Sequence, residues 1–495
     1  MLYPSLEEAK TYEKDYRTVP VSKSILSDMY TPLQLLGKLK TLSSHVYMLE
    51  SVEDARIWGR YTFLGYDPKM EITCRDRLLK SVEGDNVLIK ETDDPGAYLT
   101  EVLDMYKSPK IEGMPAFTGG LTGYFSYDYM KYLEQNLTLN ADDDEGFNDF
   151  DLMLFDKVIA FDNLKQQTVF IVNISTDDLE ANYLKAEEEI DEMIKTILDA
   201  DIKEETPLAL KEEFTPLFSR EKFCEMVEAA KKYIYEGDIF QVVLSNRFSA
   251  YADGSLFDTY RMLRVINPSP YMFYFSSDDI EIAGASPETL VKLKDGVLHT
   301  YPLAGTRPRG KDEEEDLLLE ESLLNDPKEL AEHNMLVDLG RNDIGKVSKF
   351  GSVTVDKYLR IARYSHVMHI GSTVRGEIRN DKNAVDAIGA ILPAGTLSGA
   401  PKFRAAQIID ELENSRRGIY GGAIGYLDFT GNMDVCIAIR IAWKKNGKVF
   451  VRTGAGIVSD SVPKCEYQET INKGKAVIQA VKESEGGIYI DSPHR

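Results

Sequence analysis

Two short turns constrain this chain most. In TLVKLKDGVLHTYPL the strand-like run is interrupted at Asp295-Gly296, and in VCIAIRIAWKKNGKVFVRTGAG at Asn446-Gly447. Asp-Gly and Asn-Gly tolerate the left-handed backbone that a two-residue hairpin turn requires, so each stretch predicts a pair of adjacent antiparallel strands. SHVYMLESV, NVLIK, KVIAFD, QTVFIVNIS, FQVVLSNRF and YMFYF add further strands. TDDLEANYLKAEEEIDEMIKTILDA (176–200), residues 220–236 and a segment near 254–265 read as helices. Antiparallel pairs separated by helices predict an α+β body and fit a parallel dinucleotide-binding sheet poorly. No GxGxxG or GxxxxGK[ST] opens a helix, so nucleotide binding has no support.

Two seams interrupt the pattern. ADDDEGFNDFD (141–151) reads as an exposed acidic loop or insertion. DADIKEETPLALKEEFTPLF (199–218), with two Thr-Pro steps, reads as a linker and puts the main boundary near 205–217. The regions on either side are 1–210 and 218–495. At 495 residues the chain is long enough for two domains or one large two-sheet body. Its net charge of −24, with no basic stripe, argues against nucleic-acid binding. A local cluster or a cation still allows an anionic small substrate. Four scattered cysteines without CxxC spacing predict neither a disulfide framework nor a zinc site. With no leader-like N-terminus and no apolar run approaching a membrane span, a cytoplasmic protein is expected.

Chemistry concentrates in a few stretches. CEYQETINK (465–473) puts Glu466, Glu469 and Lys473 on one helical face, either as a solvated surface with an intrahelical Glu469–Lys473 pair or as part of an ion site. A second ExxE, Glu329 and Glu332, lies on a helix predicted after Pro327. If the two helices face each other, four carboxylates meet, which requires a cation; an all-oxygen set favours Mg²⁺. Two unrelated surface helices are the alternative. SHVMHIGSTVRG (365–376) alternates as a strand carrying His369, a core, surface or catalytic histidine. LPAGTLSGAPK (392–402) is either a tight turn capping the next helix or a set of backbone N–H groups for a carboxylate. RTGAGIVSDS (452–461) is a glycine-bearing loop able to approach an anion, and Arg440, on the strand before it, offers a bidentate carboxylate contact.

In order along residues 237–473, GDIFQVVLSNRF, GASPETL, YPLAGTRPRG, ELAEHNMLVDLGRNDIG, HVMHIGSTVRG, LPAGTLSGAPK, YGGAIGY, CIAIR, GAGIVSDSVP and EYQETINK resemble the chorismate-utilising enzyme family. LES (49–51) and GRYTFLGYDP (59–68) resemble the N-terminal part of its larger synthases. The resemblance implies two large antiparallel β-sheets packed as a sandwich with helices outside, four layers ordered α/β/β/α. It makes 1–210 a regulatory region intertwined with the body and 218–495 the chorismate-binding catalytic region.

The site residues follow from the same resemblance. Mg²⁺ would be held by Glu329, Glu332, Glu466 and Glu469, with Glu332 and Glu469 the most direct ligands, and Lys473 would balance the acids or reach the substrate. Arg440, Tyr420 and the backbone of Gly454, Ala455 and Gly456 would meet the enolpyruvyl carboxylate of chorismate. Gly305, Thr306 and Thr396 would position the ring and its hydroxyl, Glu288 would protonate the departing hydroxyl, and His369 would move the ring proton. Where isochorismate and salicylate synthases carry a lysine base this chain has Gln241, and where many aminodeoxychorismate synthases carry a nucleophilic lysine it has Ala304. The pair points to ortho amination by ammonia, giving anthranilate and pyruvate. LES and NPSPYMFY (267–274) match a tryptophan feedback pocket: Glu50 or Ser51 would meet the amino acid's polar end, and Pro270, Tyr271 and Met272 its indole. The chain shows no amidotransferase cysteine elbow, so ammonia from glutamine is expected from a separate amidotransferase subunit. The rivals are an aminodeoxychorismate synthase, a synthase stopping at the aminated intermediate, and a silent tryptophan-binding regulator.

Overall fold

The computed structural model describes residues 2–51, 59–134, 136–202, 204–363 and 367–488. Among the described residues thirteen strands form one antiparallel sheet and twelve a second. The two face each other across an apolar interior in which Tyr47, Phe155, Phe273, Ile424 and Trp443 are buried. Helices Pro32–Leu42, Leu179–Asp199, Phe257–Ile266 and Pro463–Glu483 cover the outer face of the first sheet, burying Leu36, Ile190, Leu263 and Val477. Helices Pro95–Met105, Pro327–Gly345 and Ala384–Ile391 lie against the second. Among the described residues no helix is long and apolar enough to cross a membrane.

Both predicted hairpins form. Lys294 pairs with Val297 around Asp295 and Gly296 (φ 53° and 78°), and Lys445 with Lys448 around Asn446 and Gly447 (φ 52° and 73°). Positive φ at both turn residues matches the right-handed twist of the flanking strands. The apolar run CIAIRIAW is not one arm, however. Met433–Ile437 belongs to the second sheet and Ile441–Lys445 to the first, so Ala438–Arg440 is a corner between sheets. Arg440 itself sits at φ 55°, off both strands, which corrects its expected strand position.

Each sheet runs through the 205–217 boundary. Val46–Glu50 pairs with Tyr271–Ser276 in the first, with Glu50 opposite Met272, and Gly120–Phe125 pairs with Ala423–Asp428 in the second. The boundary segment adds short strands, Ala209–Leu210 and Thr215–Pro216, to the long strand Gln241–Asp253. The acidic seam 141–151 is not an exposed loop. Glu145, Phe147, Asp149 and Asp151 are buried. Glu145 pairs with Arg247 and accepts from Trp443, while Asp149 pairs with Lys131 at 2.8 Å and accepts from Tyr132 at 2.6 Å. Cations and donors converge on Glu145 and Asp149, whereas burial with Glu71 and Asp279 nearby pushes the Asp151 carboxyl up to about 8, toward its neutral form.

Candidate active site

A cavity of about 830 Å³ opens where the ends of the two sheets meet helices Pro327–Gly345 and Pro463–Glu483. Strand ends, a sheet corner and two helix starts supply its walls, each bringing one kind of chemistry. It gathers Gln241, Glu288, Glu332, Thr396, Tyr420, Arg440, Gly454, Gly456, Glu466, Glu469 and Lys473, eleven side chains or backbone positions singled out from sequence.

The anion-binding wall lies at the corner. Arg440 is largely desolvated, which lowers its pKa, and no carboxylate pairs with it among the described residues. A buried guanidinium without an acid partner is a site for an external one. Tyr420 flanks it, buried with its phenol pushed up to about 12. The strand Lys448–Ile457 completes the wall through its glycines. A Cβ on Gly454 would lie 2.7 Å from the Tyr420 hydroxyl and 3.0 Å from the Leu244 carbonyl, and one on Gly456 2.9 Å from the Gln241 amide nitrogen. Ala455, between them, turns its methyl into the apolar core and, unlike the two glycines, does not line the cavity.

The same cavity is lined by Glu288, just past the end of strand Glu281–Ser286, whose backbone is hydrogen-bonded to the corner. Burial pushes its carboxyl up to about 7, held back by the Thr396 hydroxyl, which donates to it at 3.1 Å, and by the charge of Lys473. Thr396 is held by the turn of LPAGTLSGAPK, whose last lysine is structural: Lys402 Nζ meets both Asp343 oxygens at 3.0 Å and the Ile391 carbonyl at 2.7 Å. Gly399–Ala400 pairs with Gln241–Val242, which fixes the turn against the strand bearing Gln241.

Charge from the two helices converges on Lys473. Its ammonium pairs with Glu469 at 2.6 Å and donates to the Gly454 carbonyl at 3.1 Å. Desolvation and the charges of Glu329 and Glu469 push the Glu332 carboxyl up, and desolvation with Glu469 does the same to Glu466. The ExxE helices therefore do face each other. Among the described residues no three His, Cys, Asp or Glu side chains are close enough to hold a metal ion by themselves. Mg²⁺ takes one or two protein carboxylates and completes its shell with water and substrate oxygens, and an all-oxygen set of mutually repelling glutamates fits that demand.

Four predicted residues lie beside the cavity rather than on its wall. His369 Nδ1 is 2.8 Å from the Gly305 carbonyl and 3.1 Å from Thr306 Oγ1, across the paired strands Leu303–Pro308 and Val367–Glu377. A carbonyl accepts only from N–H, so Nδ1 donates to Gly305. Glu329 packs under Gly305, whose left-handed φ of 68° and 3.1 Å approach to the carboxylate exclude a side chain there, and it pairs with Arg307 at 3.5 Å. Leu303 links this group to the cavity.

Sequence reasoning missed the cluster beneath. Glu413, 2% exposed, accepts from Arg417 and Arg452 and from the Ser245 backbone, and these two guanidinium groups lower its pKa despite burial. Arg417 also donates to the carbonyls of Leu397 and Val243, both at 2.6 Å, joining the Thr396 turn to the Gln241 strand. The i,i+4 spacing of Glu413 and Arg417 in ELENSRRG was the available signal.

A separate cavity of about 330 Å³ lies between the sheets and is lined by Glu50, Ser51, Pro270, Tyr271 and Met272. Alternation divides these five. Tyr271 faces the inter-sheet side, its hydroxyl 2.8 Å from Asp434, while Met272 is buried in the outer core. Glu50 also turns outward, accepting from Tyr260 at 2.6 Å and pairing with Arg264 at 2.6 Å. Ser51 is the polar residue of the motif on the inner side.

A family model described as chorismate binding enzyme matches residues 50–479. The anthranilate synthase component 1 of Acetivibrio thermocellus is 46% identical, covering 98% of this chain and 99% of its own length. That of Aquifex aeolicus is 44% identical over 97% and 98%. The crystal structure of anthranilate synthase component I from Streptococcus pneumoniae superposes with a TM-score of 0.76 at 38% identity, covering 92% of this chain and 99% of that one. The menaquinone-specific isochorismate synthase of Escherichia coli, 19% identical over 96% and 98% with a TM-score of 0.67, shares the fold.

Proposed function

The chain belongs to the chorismate-binding enzyme family, and we propose that it is the aminating component of an anthranilate synthase, converting chorismate and ammonia to anthranilate and pyruvate. The observation that carries the reading is that one cavity holds both an acid-free Arg440 and the near-neutral Glu288. One binds a carboxylate and the other is poised to give a proton to a leaving hydroxyl at physiological pH. Gln241 on the wall of the same cavity favours ammonia over water, because an amide cannot deprotonate water.

In this reading Arg440, Tyr420 and the Gly454 and Gly456 backbone hold the enolpyruvyl carboxylate. Ammonia forms the bond to ring C2 as the C4 hydroxyl leaves and the double bonds shift; Glu288 protonates that hydroxyl, which departs as water. His369 then takes the ring proton as pyruvate is lost and the ring becomes aromatic. Glu329, Glu332, Glu466 and Glu469 would hold Mg²⁺, which when bound supplies positive charge for the ring carboxylate. The inter-sheet cavity, apolar with Ser51, Tyr271 and Lys292 at its walls, suits tryptophan as feedback inhibitor. The words "component 1" in the relatives' names support a separate amidotransferase component as the source of ammonia.

The test is the purified chain with chorismate, Mg²⁺ and ammonium at alkaline pH, followed by anthranilate fluorescence and a pyruvate assay. Equal yields of both, abolished by chelator and reduced by tryptophan, are expected. Chorismate consumed without pyruvate would overturn the reading in favour of a synthase that stops at an aminated ring.

A further inference from the structure

Behind Glu288 and Thr396, on the side away from the substrate cavity, lies a second cavity of about 60 Å³. Both residues line both cavities and form the wall between them. Its far end is set by Thr300, Gly340 and Asp343, where helix Pro327–Gly345 crosses the second sheet. A water needs roughly 10–15 Å³ of such space, so several fit.

Leu336, Leu339, Ile391 and Ile437 make much of the lining apolar, but polar groups stand among them at both ends. Thr300 is 7% exposed, and its hydroxyl is buried with no hydrogen-bond partner in the protein. Buried hydroxyls are normally satisfied by protein or ordered water. Asp343 is 4% exposed and paired with Lys402 at 3.0 Å and Lys346 at 3.6 Å. The Lys346 side chain is 44% exposed, so this end borders solvent. Gly340 keeps the passage open, since a Cβ there would lie 3.0 Å from Thr300 Oγ1.

We propose that this second cavity holds a short chain of waters through which Glu288 exchanges its proton with solvent while substrate closes the main cavity. The inference rests on the reading of Glu288 as the acid. When the C4–O bond breaks, the Glu288 proton goes to the hydroxyl oxygen and water is formed. The carboxylate left behind takes a proton from the nearest chain water, which takes one from the next, and the last draws one from bulk solvent near Asp343 and Lys346. The charged groups facing this path are Lys473 on the substrate side, and Asp343, Lys402 and Lys346 at the far end, with Glu134 acting on Lys402. Thr300 and Gly340 touch no substrate and are positioning residues.

Thr300→Val removes the hydroxyl at constant shape, and Gly340→Ala puts a methyl beside it. Each is expected to lower kcat about tenfold, to leave KM for chorismate unchanged, and to raise the solvent deuterium isotope effect on kcat, with thermal unfolding unchanged for Thr300→Val. Wild-type kcat and isotope effect in both variants would overturn the proposal. Glu288→Gln separates the two levels. If it abolishes turnover while the other variants are silent, the water chain alone falls; if it keeps wild-type turnover, the acid assignment falls and the water chain with it.

Discussion

Glu413 is buried and Glu288 partly so, and their surroundings push them in opposite directions. Glu413 has two guanidinium groups against it and stays ionised; Glu288 has a threonine hydroxyl and a lysine further off, and sits near 7. Replacing Glu288 by Gln is expected to lower kcat by about 10²- to 10⁴-fold with little change in KM. At constant free ammonia, wild-type kcat should fall as pH rises through about 7, because the acid works only when protonated. Stability carries the same sign: the folded-state value lies above the ordinary 4.5, so the wild type loses stability as pH climbs from 4.5 to about 7. Calorimetry should find Glu288→Gln more stable than wild type at pH 8 and equal to it at pH 4. Glu288, Gln241 and Arg440 were legible in sequence through motif order. Glu413 and Arg417 were not, because an ENSRRG segment looks solvated until its burial is known. The outward turn of Glu50 was hidden for a similar reason: alternation depends on register, which only the pairing with Met272 fixes.

Among the elements, the hairpins were readable from four turn residues, whereas spacing put each ExxE pair on one helical face and only the family resemblance brought the two helices to one site. The corner at Ala438–Arg440 was not readable, since CIAIRIAW stays apolar while changing sheets. That corner aims Arg440 into the cavity and leaves the neighbouring strand to contribute only glycines. The two glycines differ in what surrounds them. A methyl at 454 meets the Leu244 carbonyl, which is backbone, and the Tyr420 hydroxyl, which is buried. A methyl at 456 meets the end of the Gln241 side chain, which can swing aside. Gly454→Ala should therefore cost about 1–3 kcal/mol of stability by urea unfolding and about tenfold or more in kcat/KM. Gly456→Ala should unfold like wild type and lose mainly the preference for ammonia over water, read as the ratio of aminated to hydroxylated product.

At the scale of the molecule the two regions share both sheets, so neither half closes its own core. Residues 1–210 and 218–495 expressed separately should each be insoluble or lack a cooperative transition, and mixing them during refolding should recover activity that neither has alone; a soluble, cooperatively unfolding fragment would contradict this. The same continuity links the two cavities. Tyr271 lines the inter-sheet cavity and pairs with Ser286, two residues before Glu288. Pro270 and Tyr271 also bound a gap of about 200 Å³ whose other side is Pro287 and Leu303, both on the wall of the main cavity. If tryptophan occupies the inter-sheet cavity as proposed, Tyr271 and its strand partner Ser286 are the shortest route from it to Glu288. Ser51→Phe, which fills the inter-sheet cavity, should raise the tryptophan concentration for half-inhibition at least about tenfold, a coupling change near 1.4 kcal/mol, with uninhibited kcat within about twofold.

The pairing of Glu50 with Met272 also sets a schedule for the nascent chain. About 220 residues separate the partners, and at roughly 5–20 residues per second the ribosome takes roughly 10 to 45 s to deliver the second after the first. For that interval the Val46–Glu50 strand has emerged with one edge unpaired. The order in which this fold can close is thus dictated by its C-terminal half, and whatever shields that edge during synthesis governs how much active protein is made.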